Sequence, residues 1–220
     1  MSEERTEDRK LRTDGGERSE REIALIERRE AALAQVVKFG DPVLKSRASP
    51  VSKIGEDLRA EVDRMIAIMR DGLGVGLAAT QLGILRRLLV FQPSHDAQPT
   101  ALINPEVDWR SDDLVIAEEG CLSLPRVSMD VERPLHATFS GLDLDGEPVL
   151  LEASGLEARV LQHEIDHLDG VLILDHAPRD QRKGALRALR EGGSYSPPFE
   201  DDEEEAAAAE EGHREPKSTP

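Results

Sequence analysis

The sequence predicts an α+β domain in which short, mostly antiparallel strands pack around a central helix. Two segments, 56–70 and 155–168, repeat their apolar residues at the period of an α-helix. Between them lie short β-rich runs punctuated by Pro, Gly, Asp and Ser. No internal repeat is visible, so these elements are expected to share one core.

The elements follow in chain order. Residues 1–30 hold ten acidic and eight basic side chains, with apolar residues only at scattered positions. Such a stretch buries too little apolar area to offset its ordering entropy, unless it forms a solvated helix. Residues 19–35 (SEREIALIERREAALAQ) can form one, with Ile23, Ile26 and Leu33 near one stripe. Residues 1–35 therefore read as a charged extension, disordered or solvated-helical. In 56–70 (EDLRAEVDRMIAIMR), Leu58, Val62, Met65, Ile66 and Met69 fall on one face, and Gly72 stops the helix. The strand candidates are 86–92 (RRLLVFQ), 100–107 (TALINPEV), 113–118 (DLVIAE), 134–142 (PLHATFSGL) and 147–152 (EPVLLE). A helix over 155–168 (GLEARVLQHEIDHL) is closed by Asp169-Gly170. Residues 178–191 (PRDQRKGALRALRE) carry five basic and two acidic side chains. Residues 192–220 read as an acidic disordered tail: nine acidic and two basic side chains flank four alanines in 200–220. One folded domain over 36–191 is expected.

Composition excludes several functions. The net charge of −17 repels phosphate, which argues against a non-specific nucleic-acid binder lacking a local basic patch. No run approaches the roughly 18 apolar residues of a spanning helix. A single cysteine, Cys121, rules out a disulfide scaffold. Residues 1–22 carry charge throughout and no apolar signal-peptide core, so the expected address is the cytoplasm.

The chemistry is concentrated in three segments. His163-Glu164-Ile165-Asp166-His167 is an HExxH pattern on a predicted helix. Four helical residues turn 400°, so both imidazoles sit on one face as two ligands of one metal, with a glutamate beside them to address water. A catalytic centre usually takes three protein ligands. Candidates for the third are Cys121, His95, His136, His176 and many carboxylates. Cys121 stands out within EEGCLSLP, because Gly120 permits close backbone approach and Pro125 is expected to end the strand. The small residues of Gly74–Gln81 (GVGLAATQ) let main chain lie against a ligand, but the segment lacks the spacing of a phosphate loop.

Together these segments resemble the peptide deformylase family. Its GxGLAAxQ loop, EGCLS strand and QHExDHLxG helix are matched by Gly74–Gln81, Glu119–Ser123 and Gln162–Gly170 in the same order. The similarity covers about Val36 to His176, including VVKFGDPVLKSRA, and neither tail shares in it. A zincin protease also has HExxH, but would lack EGCLS. Two departures stand out. Thr80 replaces a common proline, and Ser128 stands where many relatives carry an arginine. Arg133 matches a second familiar arginine, which pairs with the glutamate corresponding to Glu119.

The resemblance implies a hydrolase that removes the formyl group from the N-terminal methionine of new polypeptides and releases formate. Cys121, His163 and His167 would hold the metal. Ligand type alone suggests zinc, whereas the resemblance implies Fe2+, with zinc, nickel or cobalt able to substitute. Glu164 would be the general base, and the Gln81 side chain and Leu122 backbone N–H the oxyanion donors. Val75, Gly76 and Gly120 would line the peptide groove, and Leu156 and Val160 would wall the methionine pocket. Some relatives dock near the ribosomal exit through a basic C-terminal helix. Residues 178–191 could present such a stripe to ribosomal RNA, with the acidic run Glu200–Glu205 close enough to fold over it.

Overall fold

Alternation along short apolar strands lets one sheet feed two cores. The computed structural model describes residues 19–94 and 96–198. His95 and the predicted flanks 1–18 and 199–220 lie outside the described residues. The helices are α1 (Glu20–Leu33), α2 (Glu56–Asp71), α3 (Gly155–Leu168), α4 (Ile173–His176) and α5 (Arg179–Glu191). The strands are β1 (Gly76–Ala78), β2 (Leu88–Phe91), β3 (Thr100–Arg110), β4 (Leu114–Cys121), β5 (Leu124–Pro134), β6 (His136–Leu142) and β7 (Pro148–Ser154). An antiparallel sheet runs in the order β1-β2-β3-β6-β7, and β4 and β5 form a separate antiparallel hairpin. The class is α+β with antiparallel sheets.

The two faces of β2 show how the core is built. Leu88 and Val90 join Leu58, Val62, Met65 and Met69 of α2 in one cluster. Leu89 and Phe91 join Val160, Leu161, Ile165 and Leu168 of α3 in another, together with Phe139 of β6. The helix that carries the two histidines thus rests on the sheet face opposite α2. A third cluster joins the hairpin to the C-terminal helices through Val127, Met129, Val131, Leu172–Leu174, Ala185 and Ala188.

Two strands escape the sequence reading. β1 is only three residues long and lies inside the small-residue segment that reads as a loop. β5 has prolines at 125 and 134 and an inward-facing charge at Arg133, which together disguise its alternation of Val127, Met129, Val131 and Arg133. Pro125 does not end a strand, as its type suggests. It is exposed near the start of β5, where the register shifts between Gly120 and Cys121 and the ladder asks no N–H of it. The packed body also passes both ends of the 36–191 range. Ala32 in the last turn of α1 is buried with α2, and Tyr195 packs against the third cluster.

Candidate metal centre and substrate groove

Three local structures converge on the second face of α3. The first is the β1 segment, whose chain continues into a 3-10 turn over Ala79–Leu82. The Gln81 side chain folds back there, and its Oε1 accepts the Ala78 N–H at 2.9 Å. This turns Nε2 toward Cys121 Sγ and Ser123 Oγ, each at 3.5 Å. The second is the end of β4, which delivers Cys121 at the turn into β5. The third is α3 itself, where the four-residue spacing brings the His163 and His167 rings to a centroid separation of 4.9 Å, edge to face.

The ligand atoms of Cys121, His163 and His167 all lie within 4.8 Å of one another. Cys121 Sγ is 3.2 Å from His167 Nε2. Burial alone would raise the Cys121 thiol, but the His167 and His163 imidazoles hold it well below the ordinary thiol range. The thiolate is the form that binds metals. Burial would likewise lower His163, yet Cys121 and Glu119 raise it well above the ordinary imidazole value. A thiolate and two imidazoles within reach of one point form an electron-rich donor set. It suits a borderline-soft divalent metal ion. His136 and His176 are not in this cluster: their rings meet Ser154 and Asp166 instead. His95 lies outside the described residues.

A buried ion network fixes His163 from behind. Its Nδ1 meets Glu119 Oε2 at 2.9 Å, and the second ring nitrogen remains for the metal. Glu119 also accepts from Arg133, at 2.6 and 3.0 Å, and from Arg159, at 2.7 Å. Burial would raise the Glu119 carboxyl, but His163 and the Arg133 guanidinium hold it well below the usual carboxylate range. Arg133 reaches on to Asp166 at 2.8 Å, and Asp166 to His176 at 2.8 Å.

Glu164 lies between the two histidines and is buried. Burial raises its pKa, and its Oε2 has no hydrogen-bond partner among the described residues. Gly76 makes room for it: a Cβ there would fall within 2.8 Å of Glu164 Cγ and Cδ. Leu122 lies in the β4–β5 turn, where its carbonyl accepts from Lys38 Nζ at 3.1 Å.

A cavity of about 870 Å³ opens beside these groups. Val75, Gly76, Gly120, Leu156 and Val160 all line it, as do Gln81, Leu122, Cys121, His163 and Glu164. Val75 and Leu156 are exposed and Val160 is buried, so the apolar wall descends from the surface to the floor.

The polypeptide deformylase family model matches residues 33–183. The chain belongs to the peptide deformylase family. It is 44% identical over 160 residues to the peptide deformylase of Acidothermus cellulolyticus, covering 73% of this chain and 87% of the relative. It is 45% identical over 161 residues to peptide deformylase 1 of Corynebacterium glutamicum, covering 72% and 95%. Among solved structures, the Synechococcus elongatus peptide deformylase in complex with actinonin matches with a TM-score of 0.68 and 40% identity, over 72% of this chain and 88% of that one. The Thermotoga maritima peptide deformylase matches with a TM-score of 0.63 and 44% identity, over 65% and 96%.

The departures from the peptide deformylase pattern have local accounts. The Thr80 hydroxyl donates to the His167 carbonyl at 3.1 Å, tying the loop to the end of α3 in a way proline cannot. The Ser128 hydroxyl is engaged by Ser196 at 3.0 Å. Sequence reasoning missed Arg159 as a partner of Glu119, although it stands one helical turn before His163. It also missed the contributions to the cavity from outside the motifs: Arg29 and Leu33 of α1, Lys38, and Ser194 and Ser196 beyond α5.

Proposed function

We propose that this peptide deformylase removes the formyl group from the N-terminal methionine of newly made polypeptides with Cys121, His163 and His167 holding one divalent cation and Glu164 carrying the proton. The observation that carries this reading is the joint one. Cys121, His163 and a buried carboxylate whose Oε2 is unpartnered among the described residues line one groove, with His167 completing the ligand cluster beside it and the glutamine of the matched loop facing them. When bound, the cation supplies a Lewis acid that acidifies water and polarises the formyl carbonyl. The reading assigns Fe2+ to this place, with zinc, nickel or cobalt able to take it.

The protein's own groups do the rest. Glu164 accepts the proton of the attacking water and returns it to the leaving amine; its burial raises its pKa toward the range where both transfers are efficient. Gln81 Nε2, aimed by the Ala78 N–H, and the Leu122 N–H donate to the oxygen that gains charge. Val75, Gly76 and Gly120 hold the peptide backbone, and Leu156 and Val160 receive the methionine side chain. Formate and a free amino terminus leave. In this reading α3 is the central helix of the catalytic domain, whose packed body runs past the expected 36–191 to Ala32 and Tyr195, with charged sequence on either side.

Two further points belong to this reading. The described residues contain no helix long and apolar enough to cross a membrane, and a nascent-chain substrate implies the cytoplasm. α5 buries Gln181, Ala185 and Ala188 and turns Arg179, Arg182, Lys183, Arg187 and Arg190 outward along a shallow groove, a surface suited to ribosomal RNA. The test of the reading is anaerobic purification with metal analysis, followed by formate release from formyl-Met peptides. A chain carrying about one metal ion and releasing formate meets it. Cleavage of internal amide bonds without formate release contradicts it.

A further inference from the structure

The chain does not leave the molecule at the end of α5. Gly192 takes the left-handed conformation (φ +70°), and the Gly193 N–H returns to the Ala188 carbonyl at 2.8 Å, so the backbone reverses. The next residues run parallel to the outer edge of β5. The Tyr195 N–H donates to the Arg126 carbonyl at 3.0 Å, and the Ser128 N–H to the Tyr195 carbonyl at 2.9 Å. Arg126 also donates its guanidinium to the Gly192 carbonyl. Strand alternation then divides the side chains. Ser194 and Ser196 face the substrate cavity, and Tyr195 turns to the core. The tyrosine ring fills a notch made by a glycine inside α5: a Cβ on Gly184 would lie 2.8 Å from Tyr195 Cδ2. A glycine in the middle of a helix weakens it, and here that weakness admits a ring.

We propose that Gly193–Ser196 is a wall of the peptide groove that holds the substrate residues beyond the methionine, latched by Tyr195 in the Gly184 notch. This rests on the deformylase reading above. The serines stand two strand spacings, roughly 10 Å, across β5 from Gly120. In this proposal the substrate leaves Gly120 across β5, and an extended peptide advances roughly 3.4 Å per residue, so it reaches this wall about three residues on. The wall is polar where the methionine end is apolar. Serine hydroxyls both donate and accept, which fits the N–H and C=O groups of any extended chain. The Ser128 hydroxyl also donates to Ser196 Oγ at 3.0 Å, which ties the segment to β5. The wall therefore reads substrate length and is tolerant of sequence.

Formate release from formyl-Met-Ala and from a formyl-Met tetrapeptide tests this in four metal-loaded proteins. These are the full chain, a chain ending at Pro198, a chain ending at Gly193, and the full chain with Gly184→Ala. Alanine favours the helix itself, so this last variant displaces the ring without weakening α5. The expected result is a tetrapeptide-to-dipeptide ratio of kcat/KM that falls about 10-fold in the Gly193 chain and in Gly184→Ala, through KM, and holds in the Pro198 chain. An unchanged ratio in both altered proteins overturns the wall. A full chain that releases formate from neither peptide overturns the deformylase reading beneath it, a distinguishable outcome. A merely structural role for the segment would depress both substrates alike and leave the ratio where it was.

Discussion

Glu119 is where the charges of the site meet. One buried carboxylate serves Arg133, Arg159 and the Nδ1 of His163, so a single residue sets the orientation of a metal-ligand candidate and binds two guanidinium groups, one of which Asp166 shares. Glu119→Gln removes the anion, which leaves the buried Arg133 with Asp166 alone and the half-buried Arg159 without its carboxylate. Metal affinity should fall roughly 10- to 100-fold, because an orienting partner of a ligating histidine is lost. Stability should fall by about 3–5 kcal/mol, the cost of breaking a buried ion pair from one side. A metal-competition titration and a denaturant unfolding curve measure the two effects, and unchanged metal affinity would remove Glu119 from the site. Gly76 makes a separate case. Gly76→Ala drives a methyl group into the Glu164 carboxylate. Formate release should then drop at least ~10²-fold while the metal content holds, as expected when a general base is misplaced. Wild-type turnover in that variant would show that Glu164 does not need its present position. At this scale the sequence was informative in proportion to locality. His163, Glu164 and His167 declare themselves because the helical period fixes their geometry. Cys121 is far along the chain, and only its neighbours and the family motif single it out. Arg159 looks like any solvated helix charge until β4 and β5 are placed beside it.

At the scale of elements, the helices α2 and α3 were legible from their periodicity, and five strands from their β-rich runs. The β5 strand was not, because its inward face ends on Arg133. A charge reads as solvent-facing until its buried partners Glu119 and Asp166 are known. The short β1 was hidden for the opposite reason: its residues are small enough to suit a loop equally well. The α5 helix buries Gln181, Ala185 and Ala188 on one face and carries cations on the other. If that face docks on ribosomal RNA, co-sedimentation with ribosomes should weaken as salt rises, since phosphate contacts release counterions. Deleting residues 199–220, which remove nine acidic and two basic side chains, should tighten it. No sedimentation of either chain at low salt would leave α5 an ordinary solvated helix.

Over the whole molecule, the metal-ligand candidates sit where the two layers meet. One sheet carries α2 on one face and α3 on the other, and the β4–β5 hairpin closes over the outer end of α3 to bring Cys121 to the histidines. The last turn of α1 and the strand-like return after α5 then extend the groove on two sides. The helix over 19–35 was legible in the sequence, but the contribution of either extension to the groove was not. Each lies in a charged or polar stretch whose contribution depends on a neighbour, α2 in one case and β5 in the other. The central claim is that this assembly holds a metal with three residues and uses a fourth, Glu164, only to move protons. The most direct test compares the native chain with Glu164→Ala, both loaded with the same metal and assayed for formate release from a formyl-Met peptide. The account predicts equal metal content, about one ion per chain, and turnover reduced at least ~10²-fold in the variant. Loss of the metal along with the activity would make Glu164 a ligand, and near-native turnover with the metal retained would contradict its role as the base.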